Sequence, residues 1–161
     1  MVCRWRKVVK SGKKWDMFIG EFNHTVDMKG RVSLPARFRD ELSSNFYITK
    51  GMEGCLFIYD EREWTAMDEK IKKLRLTSKA ARNFSRQFYG QADQVSCDRQ
   101  GRFLIPPTLR TYAGIQKEVV ILGVSNRIEV WAKDQWETYN EQESMDFDEL
   151  TDKLDDLDVD L

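Results

Sequence analysis

One stretch of this 161-residue chain is written twice. Asp27-Met28-Lys29-Gly30-Arg31-Val32-Ser33-Leu34-Pro35 returns 71 residues later as Asp98-Arg99-Gln100-Gly101-Arg102-Phe103-Leu104-Ile105-Pro106. Other matches keep the same order: Phe18-Ile19-Gly20 with Phe88-Tyr89-Gly90, Arg39 with Arg110, Gly51 with Gly123, Ile58-Tyr59 with Val130-Trp131, and Trp64 with Trp136. The offset drifts only from 70 to 72, so the chain holds two copies of one unit. A unit of about 70 residues struggles to bury a core by itself. The two copies are therefore expected to share one.

Within each copy the pattern reads strand, tight turn, strand, short helix, two strands, helix. Val32 and Leu34, then Phe103 and Ile105, alternate with outward positions at period two, the mark of a half-buried strand. Pro35 and Pro106 end those strands, because proline cannot donate to a ladder, and they suit the first turn of helices at 35–43 and 106–113. Gly114 is placed to stop the second helix. Phe46 to Thr49 with Leu56 to Tyr59, and Val119 to Leu122 with Ile128 to Trp131, form the later strand pairs. Gly123-Val124-Ser125-Asn126 is a hairpin-loop signal. Helices follow at 61–74 and 133–143. Copy one then carries what reads as an insertion, a helix capped by Thr77 or Ser78 and running to Tyr89. Ala80, Ala81, Phe84 and Phe88 form its packing stripe, and Lys79, Arg82 and Arg86 a solvated one. The organisation expected is a basic N-terminal extension at 1–16, a first unit at 17–76, a linking helix at 77–87, a second unit at 88–142, and a tail at 143–161.

Charge divides along the chain in the same way. The formal net charge of -1 argues, taken alone, against a polyanionic partner. Residues 1–16 carry six basic residues against Asp16, and 141–161 carry ten acids against Lys153. The body between them holds 19 basic and 16 acidic residues, so it is mildly basic and the tail conceals this. The extension reads as a flexible arm or as the product of an upstream start. Leu150, Leu154, Leu157 and Leu161 fall at helical spacing in the acidic tail, a pattern that suits docking on a partner.

Several function classes drop out. Three cysteines, Cys3, Cys55 and Cys97, are odd in number and lack CxxC spacing, which fits a reducing cytoplasm. His24 is the only histidine, so neither a His/Cys metal site nor a Cys/His nucleophile pair assembles. There is no phosphate-cradling glycine loop and no apolar run of the roughly 20 residues that spans a bilayer. No enzyme activity, cofactor, metal, small-molecule substrate or membrane partner is expected.

The repeated turn carries the remaining chemistry. Gly30 and Gly101 supply the positive φ of a tight turn, and Asp27 and Asp98 bond backbone N–H groups two residues on. Arg31 and Arg102 are not needed for the turn, and neither are Lys29 and Arg99. Two copies held side by side cluster these four cations on one edge of a small β-domain. The aspartates can pair with the arginines as exposed ion pairs, and such pairing does not exclude orienting them for a phosphate or the O6/N7 edge of guanine.

At these residues the chain resembles the MraZ transcriptional regulators, related to the AbrB and MazE type of swapped-hairpin fold. Two Asp-x-x-x-Arg motifs in one chain carry the resemblance, with Phe18-Ile19-Gly20 and Arg31-Val32-Ser33-Leu34-Pro35-Ala36-Arg37-Phe38-Arg39 around the first. It covers Met17 to about Gln142; the basic extension and the long acidic tail depart from it. The resemblance implies an α+β, mainly β fold in which two tandem SpoVT-AbrB-like units form one pseudo-twofold β-barrel with peripheral helices. It implies a homo-oligomer closed head-to-tail into a ring, cytoplasmic and nucleoid-associated. It also implies binding to double-stranded DNA at short direct repeats in the promoter of the cell-division and cell-wall gene cluster, as a repressor, through Arg31 and Arg102 with support from Lys29 and Arg99. The rival is a non-catalytic protein-interaction module, antitoxin-like or scaffolding, that uses the acidic tail.

Overall fold

The computed structural model describes residues 17–143 and 146–154. The basic segment 1–16 and the end of the acidic segment, with Leu157 and Leu161, lie outside the described residues. Copy one supplies β1 (Phe18–Thr25), β2 (Arg31–Ser33), α1 (Ala36–Glu41), β3 (Asn45–Lys50), β4 (Leu56–Asp60), α2 (Glu61–Lys72) and α3 (Lys79–Gly90). Copy two supplies β5 (Asp93–Ser96), β6 (Arg102–Leu104), α4 (Pro107–Ala113), β7 (Glu118–Ser125), β8 (Arg127–Ala132), α5 (Lys133–Gln142) and α6 (Phe147–Leu154). The order is identical in the two copies. The helix read as an insertion in copy one is matched in order by α6, which contains Leu150 and Leu154 of the helically spaced leucines.

The strands of the two copies interleave. Six of them form one antiparallel sheet in the order β1-β7-β8-β4-β3-β5, and β2 pairs with β6 in a separate ribbon. Strand β1 of copy one pairs along β7 of copy two, and β5 of copy two pairs along β3 of copy one. Like strands join at the centre, β4 with β8 and β2 with β6. The closed barrel expected from the resemblance is not formed, since the sheet is open with β1 and β5 at its edges. The ladder ends where the Val26 amide donates to the Lys117 carbonyl at 2.7 Å. The Asp27 turn then sends the chain into the ribbon, whose Val32 and Phe103 must face the core while its other face meets water.

Two apolar layers result, one on each side of the sheet. The inner layer joins Val32, Leu34, Phe38, Ile48, Leu56, Ile58, Phe103, Ile105, Leu109, Ile121, Ile128 and Val130 from both copies. Phe46 of copy one meets Phe103 of copy two edge to face, with ring centroids 5.6 Å apart. The outer layer holds Phe57, Tyr59, Phe88, Val120 and Trp131 under α2, α3 and α5. Strand β4 is buried at every residue, with Leu56 and Ile58 in one layer and Phe57 and Tyr59 in the other. Burial on both faces is why this strand is a continuous apolar run rather than an alternating one.

Most helices stand where the patterning puts them. Pro35 and Pro106 occupy the N-cap positions of α1 and α4, one residue earlier than the expected first turn. Gly114 caps α4 in the left-handed region at φ 64°. Ser78 caps α3, its hydroxyl accepting from the Ala81 amide at 3.3 Å. Phe88 of α3 stacks on Trp64, and Arg82 and Arg86 bond locally at the surface, to the Leu76 carbonyl and to Asn83.

Two local readings change. The expected four-residue loop at 123–126 is tighter, because β1 pairs along β7 as far as Ser125 and leaves a turn at Ser125-Asn126, with Ser125 at φ 60°. The matching tripeptides Phe18-Ile19-Gly20 and Phe88-Tyr89-Gly90 also adopt different conformations, strand β1 in one case and the end of α3 in the other. The space beside Gly123 is filled by the backbone of Phe18 and Ile19, whereas the space beside the matching Gly51 is filled by the side chains of Phe57 and Cys55. No strand can approach there, and the Phe88 carbonyl instead accepts from Thr49 Oγ1 at 2.6 Å.

Phe103 is 1% exposed and joins the two copies. Phe103→Ala is expected to lower the unfolding free energy by about 3–5 kcal/mol, measured by equilibrium denaturation.

Candidate nucleic-acid interface

The two repeated turns have nearly the same geometry. In the first, Asp27 Oδ1 accepts from the Lys29 and Arg31 amides, each at 2.9 Å, and Asp27 Oδ2 accepts from Arg31 Nε at 2.9 Å. In the second, Asp98 Oδ1 accepts from the Gln100 amide at 2.9 Å and the Arg102 amide at 3.0 Å, and Asp98 Oδ2 accepts from Arg102 Nε at 3.1 Å. Each aspartate thus closes its turn with one oxygen and holds an arginine with the other. The Nη nitrogens of Arg31 have no hydrogen-bond acceptor among the described residues. The ion pairs expected between Asp27 and Arg31 and between Asp98 and Arg102 are formed.

The hydrogen bonds also set the charge state. Asp27 is held below its ordinary pKa of 3.8, chiefly by the Arg31 amide, and Asp98 likewise, chiefly by the Arg102 amide. Both carboxylates therefore stay ionised through mildly acidic conditions.

The turns are locked together across the copies. The Leu34 amide donates to the Gly101 carbonyl and the Ile105 amide to the Gly30 carbonyl, both at 3.0 Å. The glycines lie at φ 84° and 76°. The ribbon register sets Arg31 opposite Leu104 and Ser33 opposite Arg102. Strand alternation puts Arg31, Ser33, Arg102 and Leu104 on one face. Val32 and Phe103, each 1% exposed, take the other. Arg102 Nη1 reaches to 3.7 Å from Asp27 Oδ2, so the two Asp–Arg pairs form one network.

Not every candidate joins that network. Lys29 and Arg99 are exposed on the turns and are not matched: the counterpart of Lys29 is Gln100, and that of Arg99 is Met28. Two further arginines do join the site. A Cβ at Gly30 would lie 2.5 Å from Cζ of Arg110, and one at Gly101 would strike the Arg39 guanidinium. Each helix arginine therefore lies against the turn of the other copy, and glycine is required for this close approach as well as for its φ. The Arg110 Nε is buried with no partner among the described residues. The signal was available, since Arg39 and Arg110 match in the repeat, but only the fold shows that they meet the turns. Six basic side chains and two carboxylates now define the edge.

The duplicated Asp–Arg turn is the feature to compare with known proteins. The family model described as "MraZ protein, putative antitoxin-like" matches residues 17–87 and again 88–158. The chain belongs to the MraZ family. It is 54% identical over 143 residues to the Transcriptional regulator MraZ of Finegoldia magna, covering 89% of this chain and 100% of that protein. The Transcriptional regulator MraZ of Clostridium acetobutylicum is 48% identical over the same shares. That of Pelotomaculum thermopropionicum is 49% identical over 89% of this chain and 99% of its own. The first matched segment runs from the start of copy one into α3, and the second from the end of α3 through α5 and α6.

The turn's charge state gives a pH prediction. A carboxylate with a depressed folded pKa contributes stability above its unfolded pKa, and that contribution is lost as pH falls through the folded value. The Lys29 and Gln100 amide resonances are expected to titrate with midpoints below 3.8, followed by two-dimensional NMR. Midpoints at or above that value contradict the assigned bonds.

Proposed function

We propose that this MraZ-family chain is a sequence-specific DNA-binding transcriptional regulator without catalysis, a repressor that acts on the nucleoid in the cytoplasm. The observation that carries the reading is the outward ribbon face, on which Arg31 and Arg102 are held at Nε by Asp27 and Asp98. An arginine already fixed in place loses less freedom on binding. A two-stranded ribbon fits the major groove, where an arginine fork matches guanine O6 and N7. Lys29, Arg99, Arg39 and Arg110 flank that face and suit phosphate contacts, which position the protein without reading sequence. The names of the relatives, transcriptional regulators, support the same reading.

The exchange of first strands between copies supports a swapped-hairpin arrangement, in which one chain does the work of a dimer. Chains of this family then close head to tail into a ring, a heterologous contact that ends only by closure. A ring that presents several ribbons to short direct repeats makes later contacts intramolecular, which raises avidity by roughly 10²- to 10⁴-fold. The target is the promoter of the cell-division and cell-wall gene cluster.

Arg31→Ala and Arg102→Ala are each expected to weaken binding to the DNA upstream of the protein's own gene by about 1–3 kcal/mol with the fold intact. Fluorescence anisotropy at matched salt measures this, and parental binding should fall steeply as salt rises. Equal binding by both variants contradicts the assignment.

A further inference from the structure

The ribbon's outward face is matched at its arginines and unmatched beside them. Ser33 and Leu104 occupy the same repeat position. Register places Leu104 across from Arg31, and Ser33 across from Arg102. One end of the face is thus arginine with leucine, and the other is arginine with serine. Leu104 is 47% exposed. A lone exposed leucine is ordinary, but this one stands on the polar side of a three-residue strand whose own core position is filled by Phe103.

We propose that Leu104 contacts the C5-methyl of a thymine beside the base pair read by Arg31, and that Ser33 makes no such apolar contact at the other end. The inference rests on the DNA-binding reading above and gives it a direction. The thymine methyl is the apolar group that the major groove offers. Cβ atoms of residues paired across strands lie about 4.5–5.5 Å apart, against a base-pair rise of about 3.4 Å along each strand. Arg31 and Leu104 therefore reach the same or neighbouring base pairs. A face with identical ends would read a palindrome and bind it equally in two orientations. The Ser33/Leu104 difference removes that degeneracy and sets each chain on its box in one orientation, which is what direct repeats demand of a ring.

The turns depart from symmetry in the same sense. Met28 is fully exposed where copy two has Arg99, and Lys29 stands where copy two has Gln100. The turn cation is displaced by one position between the two ends, so the phosphate contacts differ along with the base contact.

Selection from a randomised duplex pool with the full chain, Leu104→Ser and Ser33→Leu tests this. The parent is expected to select a non-palindromic box with a fixed thymine near one of its guanines. Replacing that thymine by uracil, which removes only the methyl, should weaken the parent about fourfold, the worth of one buried carbon. Leu104→Ser should select the box without the thymine preference and ignore the uracil. Ser33→Leu should gain a second thymine and a nearly palindromic box. Circular dichroism checks that the variants keep the fold. A Leu104→Ser selection with the same thymine, or a parent indifferent to uracil, overturns the proposal and leaves the DNA-binding reading standing. Failure of the parent to enrich any sequence overturns both.

Discussion

Everything in this structure depends on a backbone exchange between two halves of one chain. The Leu34 and Ile105 amides each donate to the turn glycine of the other copy, and the three-residue ladder between β2 and β6 follows from that lock. A single copy of about 70 residues has only a marginal interior of its own. The interleaved sheet removes that limit, because the inner layer is drawn from both copies and neither can be withdrawn without exposing it. The close approach of the two turns requires glycine at positions 30 and 101, since the arginines of α1 and α4 occupy the volume that a Cβ would take.

The chemistry follows from the same constraint. Alternation along a three-residue strand leaves two outward positions per strand, and in each copy the first is arginine. Core packing of Val32 and Phe103 holds the ribbon from behind, and the aspartate of each turn holds the arginine from the side. The cations are thus presented by a rigid element rather than by a loop tip. The formal net charge of -1 carries no information about this edge, where six basic side chains meet two carboxylates. Local charge, not the total, decides which partner such a surface attracts.

Much of this was legible in the sequence, and the rest was hidden for identifiable reasons. Period-two alternation at Val32-Leu34 and Phe103-Ile105, the strand-ending prolines and the left-handed cap at Gly114 are local signals, and local signals survive folding. Strand partners are not local. Nothing in the β1 residues states that they pair with β7, because any antiparallel neighbour satisfies their backbone equally. The open sheet escaped for the same reason. Phe88-Tyr89-Gly90 resembles Phe18-Ile19-Gly20 in residues yet ends a helix, since the space beside Gly51 is taken by Phe57 and Cys55. Within the candidate site, the turn residues could be read from spacing. Arg39 and Arg110 match in spacing but could not be placed at the site from it, because each lies against the turn of the other copy, 62 and 80 residues away in the chain.

The central claim is that the held arginines read guanine edges in the major groove. Methylation protection at guanine N7, on duplex DNA from upstream of the protein's own gene, tests it most directly. The account predicts that guanines in short boxes, recurring in one orientation, lose their reactivity when the protein binds. DNA fully bound by the protein with every guanine N7 still reactive would contradict it.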